Sequence, residues 1–387
     1  ISGYHRLQPF LMSLATDTDL WMFVTSGGGL TAGRKDPEGA LFPYETVDKL
    51  HDSHSHTGPV TMFRLQPAQG PAVLWEPFAE TDMDDVQLGR NLYKNVVGNR
   101  LVFEEIRHDL ALAFRYQWSG SDAFGWVRTA TLENLGGGTV AVTLLDGLRN
   151  VLPHGVPLAL YQHSSSLVDA YKRSDLDPET GLAIFSLTAK IVDRAEAAEQ
   201  LRANTIWCHG LESFRVGLSL DVIAAFHRGE PVPAETVLTG RRGNYLVTAS
   251  LVLQPHTHKR WHLVADMGQS HVQIAATRAR LLERRDLAAA IEASLREASE
   301  SLLRIVASSD GIQLTGHEAA TAHQFASVLF NDMRGGVFAC NHDIPTADFV
   351  AFLRVRNRPG AERHAARLAA LPASIPLSEL LRVADES

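Results

Sequence analysis

The chain has 387 residues, 45% of them hydrophobic and 21% charged, with a formal net charge of −8. That is long enough for two or three domains with a sizeable core, and the negative balance argues against non-specific nucleic-acid binding, which needs a basic surface. No window approaches the roughly eighteen apolar residues of a membrane span, and two cysteines, Cys208 and Cys340, do not make a disulfide framework, so a reducing, cytoplasmic setting is expected.

From Leu20 to Gln269 the pattern is one of short runs with period-2 alternation, broken by Gly, Pro, Asn and Asp. Leu20 to Thr25 reads as a strand, followed by the glycine turn Ser26-Gly27-Gly28-Gly29. Arg100 to Tyr116 reads as two adjacent strands, and Trp126 to Leu135 as another, closed by Gly136-Gly137-Gly138, with Thr139 to Leu148 at hairpin distance. Gly181 to Ala189 and Tyr245 to Leu253 follow, then a turn at Gln254-Pro255-His256 and a last strand from Lys259 to Gly268. Strands this frequent, without crossover helices between them, predict antiparallel sheets packed as a sandwich.

After Gln269 the period changes. Leu287, Ile291, Leu295, Leu302 and Val306 form a stripe on one face of a helix over 275–306, a spacing of fours and sevens. The Ser308-Ser309-Asp310-Gly311 turn ends it. A second helix is expected over 318–331 and a third over 361–371. The predicted fold class is therefore α+β and multidomain: a large antiparallel β super-sandwich over 1–272, a helical linker over 273–310, and the beginning of a helical domain over 311–387. The chain opens on Ile1 and stops at Ser387 within that helical pattern, so both ends read as cut. The helices near the end are then expected to show uncovered apolar residues such as Phe349, Phe352 and Leu371.

Three segments carry a resemblance to a known family: the strands around Trp126 to Thr143, the closing strands Leu251 to Gly268, and Arg334-Gly335-Gly336 with Asp348, Phe349 and Arg354. In order and pattern they resemble the front part of the cellobiose-phosphorylase-type glycoside phosphorylases, glycoside hydrolase family 94. In the second segment His256 stands where that family has a loop glycine. The resemblance implies a galactose-mutarotase-like super-sandwich, a helical linker and an (α/α) barrel carrying the general acid. The barrel needs more residues than this chain offers, so no catalytic residue is transferred. For the whole enzyme it implies inverting phosphorolysis or synthesis of a β-glucoside. A barrel acid protonates the glycosidic oxygen while inorganic phosphate attacks the anomeric carbon. The expected partners are an oligosaccharide or β-glucoside and a homodimer mate or the rest of the polypeptide, with no cofactor beyond phosphate as co-substrate.

Several constellations bear on substrate. His51-Asp52-Ser53-His54-Ser55-His56 is the densest histidine cluster. It reads as a polar loop in which His54 and His56 touch a sugar, or as part of a metal site; the second needs ligands from elsewhere. His256, His258 and His262 read as a turn feature on the same reasoning. The glycine turn before Arg34 and Lys35 has the composition of an anion cradle but lacks the Walker spacing and a following helix. Trp75, with Phe78 beyond Glu76-Pro77, is the first aromatic pair to consider as a sugar platform, since pyranose faces stack on rings. Trp21, Tyr44, Trp118, Trp126 and Trp261 read mainly as core. The substrate-binding candidates are Trp75, Arg34, His54, His56 and Arg334; no metal ligand set is assigned. Glu104 and Glu105 point to opposite strand faces, so they do not make a hydrolytic carboxylate pair. The acidic run 80–85 reads as a solvated loop. Two further readings stand beside the first: a stand-alone sugar-binding or mutarotase-like module, in which a His and a Glu converge in one cleft of the sandwich, and a scaffold whose helical tail docks a partner.

Overall fold

A computed structural model describes residues 1–66, 72–80, 87–192, 199–283, 286–309, 311–313, 315–333 and 343–385. The chain begins with an antiparallel meander of β1 (Leu11–Leu14), β2 (Leu20–Thr25), β3 (Leu30–Arg34) and β4 (Ala40–Phe42). Helix α1 (Val47–Ser53) leads into β5 (Gly58–Gln66), β6 (Val73–Trp75), β7 (Leu88–Lys94), β8 (Arg100–Arg107), β9 (Leu112–Ser121), β10 (Gly125–Asn134) and β11 (Val140–Val151). Helices α2 (Leu158–His163) and α3 (Ser165–Tyr171) precede β12 (Lys172–Asp177), β13 (Leu182–Leu187), β14 (Arg202–His209) and β15 (Phe214–Gly217). Helix α4 (Asp221–Arg228), β16 (Val237–Thr239), β17 (Gly243–Leu253) and β18 (His258–Ser270) follow, and then α5 (His271–Glu283) and α6 (Leu287–Ser308).

Two large sheets result, one of nine strands in the order β16-β12-β13-β14-β18-β10-β9-β8-β7, the other of five in the order β15-β17-β11-β5-β6. The antiparallel β class expected from the alternation is what forms. On β10, Trp126, Arg128, Ala130 and Leu132 are buried on one side, and on the neighbouring β18 Trp261, Leu263 and Ala265 are buried likewise. Trp118, Trp126 and Trp261 are fully buried with Phe42, Phe63, Phe103 and Phe114, so they are core residues. Trp21 is half-buried and packs edge-on against the more exposed Tyr44, 5.5 Å between ring centroids.

Strand pairing differs from the hairpins read in the sequence. β10 and β11 do not pair with each other, nor do β17 and β18. Instead β10 pairs with β18 and β11 with β17, so both short turns cross from one sheet to the other. Asn134 is the physical reason. Its Nδ2 donates to the carbonyls of Gly138 (2.7 Å) and Gln254 (3.1 Å), and its Oδ1 accepts from the Gly136 amide (3.0 Å). Its own amide donates to Thr257 O. One buried side chain, Asn134 at 1% exposure, thus ties both crossings together and has its own polar groups satisfied by them. His256 has φ +56°, the left-handed conformation that glycine adopts most readily.

Gly125, after the β9 turn, has φ +66°, and a Cβ there would lie 2.5 Å from the Ala265 carbonyl oxygen. Gly125→Ala combines backbone strain with a backbone clash. It is expected to destabilise the sandwich by about 1–3 kcal/mol, read as a lower urea midpoint; an unchanged midpoint would contradict this geometry.

The chain divides into two compact units, Ile1–Ala298 and Ser299–Ser387. Within the first, Leu281, Leu287, Ile291 and Leu295 of α5 and α6 pack on Phe124, Val127, Leu182, Trp207 and Val264, which lie on the outer side of the nine-stranded sheet. The helix expected over 275–306 is therefore two helices, with Asp286 at φ +51° between them. The second unit holds the end of α6, then α7 (Glu318–Met333), β19 (Asp343–Pro345), α8 (Thr346–Arg356), α9 (Arg358–Arg363), α10 (Ala365–Ala369), β20 (Ser374–Pro376) and α11 (Leu377–Asp385). The helix read over 361–371 is broken at His364, and β19 pairs with β20. Phe352 is 60% exposed, whereas Phe349 and Leu371 are half-buried. Arg334, Gly335, Gly336 and Cys340 lie outside the described residues. Among the described residues no helix is long and apolar enough to cross a membrane.

Candidate functional site

A buried ionic cluster joins the two sheets. Asp146 on β11 accepts two bonds from Arg128 Nη1 on β10 (2.7 and 2.8 Å), one from Thr61 Oγ1 on β5 (2.7 Å) and one from Trp261 Nε1 on β18 (2.6 Å). Arg128 and Asp146 are both 0% exposed. The Arg128 guanidinium lies 4.6 Å from the centroid of the Tyr116 ring, within cation–π range.

Tyr116 and Thr61 are also part of the wall of a cavity of about 270 Å³. Four separate segments complete that wall: Gly27 and Gly28 of the β2–β3 turn, His54 and Ser55 after α1, Glu76 to Ala79 after β6, and Arg149 near the end of β11. Each segment is held by an identifiable bond. Arg149 donates through Nη1 to Ser55 O (2.5 Å) and through Nη2 to His54 O (2.6 Å) and Pro59 O (3.1 Å), which fixes the loop after α1. The 76–79 segment is held by Glu105, whose Oε2 accepts from the Phe78 amide (2.6 Å) and from Arg90 Nε (2.8 Å). Arg90 Nη2 in turn donates to Ala79 O (2.5 Å). Phe78 is thereby kept at φ +67°, a conformation that costs a non-glycine residue free energy and recurs at functional sites. Its ring packs edge-on against Tyr116, 5.4 Å between centroids.

The cavity is electrostatically uneven. The Tyr116 hydroxyl has no hydrogen-bond partner among the described residues and sits beside Gly28, where a Cβ would lie 3.6 Å from it. Burial raises its pKa well above the usual phenol value, so it stays protonated, able to donate. Burial pushes Arg149 down to about 10, and among the described residues it has no carboxylate partner. Glu76 on another wall lies 3.4 Å from Nδ1 of His227.

The sequence candidates are placed unequally. His54 lines the cavity, while His51 is on α1 rather than on a strand; His54 Nδ1 bonds His51 O at 3.1 Å. His56 lies near it on the surface; partial desolvation lowers its pKa, and Arg242 and Arg149 nearby act in the same direction. Trp75 is 2% exposed and donates from Nε1 to Glu105 Oε1 at 2.7 Å; it is a strut beneath the 76–79 segment, with no face open to a sugar. Arg34 is elsewhere, tied to Asp19 (2.7 Å), Asp122 (3.4 Å) and Asp266 (3.5 Å). Arg334 lies outside the described residues, as do positions 81–85 of the acidic run. Glu104 is a structural acceptor on the outer sheet face, bonded to Arg115, Asn91 and Tyr93. The Cys208 thiol is buried and its pKa is raised by that burial, which makes it inert. No group of three or more His, Cys, Asp or Glu among the described residues is placed to hold a metal ion.

A larger depression of about 960 Å³ borders Glu179, His209 and Glu235, but its carboxylates are committed. Glu235 accepts from the Leu218 and Ser219 amides (2.6 and 2.9 Å), and Glu179 pairs with Arg278 (2.6 Å). Sequence reading missed Tyr116, Arg149, Arg128 and Asp146. For the last two a signal existed: a charge at an inward position of an otherwise apolar strand face, as in Trp126-x-Arg128-x-Ala130.

No family model and no curated protein matches this chain. Solved structures similar to it include a bacterial glucoamylase complexed with acarbose (7% identity, TM-score 0.40, covering 89% of this chain and 40% of that one). A galactose mutarotase-like protein from Lactobacillus casei (7% identity, TM-score 0.37, 67% and 100% coverage) is another. So is the GalM/aldose epimerase homologue from C. elegans (7% identity, TM-score 0.37, 68% and 100%). The chain spans 40% of the length of that glucoamylase. These likenesses are distant ones, and nothing about activity is drawn from them.

Proposed function

We propose that this chain is the sandwich portion of a carbohydrate-active enzyme of the glycoside-phosphorylase kind, with a sugar ring bound in the cavity beside Tyr116. The observation that supports the reading best is the convergence of four chain segments on that cavity. They bring together the Phe78 and Tyr116 rings, an unpaired hydroxyl donor, and His54, Glu76 and Arg149. A half-buried ring, Phe78, with a few convergent polar groups fits the usual make-up of a small-ligand site, and stacking on such a ring suits a pyranose. The Tyr116 ring, covered by Phe103 and the Arg128 guanidinium, contributes its hydroxyl. The sandwich followed by α5 and α6 also agrees with the order that the family resemblance implies. Phosphorolysis, a homodimeric assembly and a supporting, non-catalytic role for the sandwich belong to this proposal and rest on the resemblance.

Calorimetric titration with glucose and cellobiose tests it. Saturable binding is expected, weakened roughly three- to tenfold by Tyr116→Phe, the effect of one hydrogen bond. No heat from either sugar would sink the proposal.

A second reading has its own observation. His54 and Glu76 line the same cavity, as a mutarotase-like acid–base pair requires, although at the edge of the sandwich rather than on the broad sheet face. It predicts faster interconversion of glucose anomers by polarimetry, abolished in Glu76→Gln; a rate equal to buffer would dismiss it.

A further inference from the structure

The wall of the Tyr116 cavity includes a half-buried cation, Arg149, that has no carboxylate partner among the described residues. A guanidinium has five N–H donors. Arg149 gives bonds to three backbone carbonyls, and its buried Nε has no partner. Carbonyl oxygens satisfy geometry but do not neutralise a charge. Partly desolvating a cation without a carboxylate beside it carries a cost, and here it falls on a residue at the cavity wall. The more deeply buried arginines differ: Arg128 faces Asp146 and Arg90 faces Glu105. The carboxylate in this cavity wall, Glu76, is 35% exposed at the side chain and lies against His227. The second polar group pointing to a ligand is the Tyr116 hydroxyl, on a residue 5% exposed and with no hydrogen bond among the described residues. A protonated phenol donates to an acceptor, and a guanidinium attracts a negative one.

We infer that the cavity receives an oxyanion, held by Arg149 through charge and by Tyr116 through a hydrogen bond, beside the Gly27–Gly28 turn. This deepens the carbohydrate reading and rests on it in one respect: the oxyanion is carried on a sugar, as the carboxylate of a uronic acid or the phosphate of a phosphosugar. Free inorganic phosphate is the other source of the same chemistry.

The test uses the full chain and three probes in calorimetry at low and high salt: glucose, glucuronate and inorganic phosphate. Glucuronate is expected to bind at least tenfold more tightly than glucose, with an affinity that falls on adding salt while that of glucose does not. Arg149→Met is expected to remove the preference. Because Arg149 also holds the loop after α1, Arg149→Lys is the companion variant; it keeps the charge and is expected to retain most of the preference. Tyr116→Phe should weaken glucuronate roughly three- to tenfold. Equal binding of glucose and glucuronate overturns the inference and leaves the carbohydrate reading standing. Phosphate binding lost in Arg149→Met, with neither sugar bound, supports the oxyanion site and overturns the carbohydrate reading. A glucuronate preference that survives in Arg149→Met overturns the assignment to Arg149.

Discussion

Asp146→Ala is expected to destabilise the sandwich by about 3–5 kcal/mol, because it strands the Arg128 cation in a dry core. The same substitution removes the acceptor for Thr61 Oγ1 and Trp261 Nε1. Urea unfolding followed by tryptophan fluorescence reads it well, since Trp126 and Trp261 lie in the same core cluster. The double variant Arg128→Met/Asp146→Leu is expected to recover most of the loss, as replacing both partners of a buried pair with apolar groups of similar volume is often neutral. If Asp146→Ala unfolds at the wild-type midpoint, the pair is not an inter-sheet strut. Should the double variant be as unstable as the single one, the hydrogen bonds to Thr61 and Trp261 carry the effect instead.

The second large effect is on acid stability. His262 on β18 is 4% exposed and shares a 2.9 Å hydrogen bond with Thr129 Oγ1. Burial, reinforced by His209 and Arg260, pushes its pKa down to about 4. A lowered folded-state pKa means that the unfolded chain takes up the proton first as pH falls. The stability tied to His262 is therefore intact above pH about 6.5 and is lost as pH drops from there toward about 4. At about 1.4 kcal/mol per pH unit the loss is about 3 kcal/mol. His209 is shifted in the same direction by burial and adds to the slope. Measured as the difference in unfolding free energy between pH 7 and pH 4, the wild type is expected to lose more than His262→Gln by that margin. Parallel pH profiles for the two proteins would rule the effect out.

Much of the architecture was readable from local pattern. Strand alternation is a property of consecutive residues, so β8, β9, β10, β13, β17 and β18 are visible wherever one face is apolar. The change of period after Gln269 is equally local, and Leu287, Ile291 and Leu295 are buried as the stripe requires. The short helices α2, α3 and α4 were not visible, since six to eight residues carry too little periodicity. The α5–α6 break was missed because Asp286 is not a residue type that demands a positive φ.

The candidate site was legible only in pieces. The glycine turn, the His51–His56 cluster and the Trp75–Phe78 segment were each singled out by composition, and their neighbourhood around one cavity was not. Their roles also had to be revised. Trp75 became a strut because Glu105, thirty residues away in sequence, accepts its indole N–H. Arg34 left the substrate list because three carboxylates surround it.

By itself, then, the amino-acid sequence determined the antiparallel class, the long strands such as β8 to β11, β13, β17 and β18, and the helical continuation, because these follow from the period of neighbouring side chains. Tertiary structure alone decided that β10 pairs with β18 across a crossing tied by Asn134, and that Arg128 meets Asp146. It also decided that Arg149 stands beside the Tyr116 cavity with no carboxylate partner among the described residues. Those facts concern residues tens of positions apart, and pairing between strands, burial of a charge and the shape of a cavity exist only once the two sheets have closed on each other.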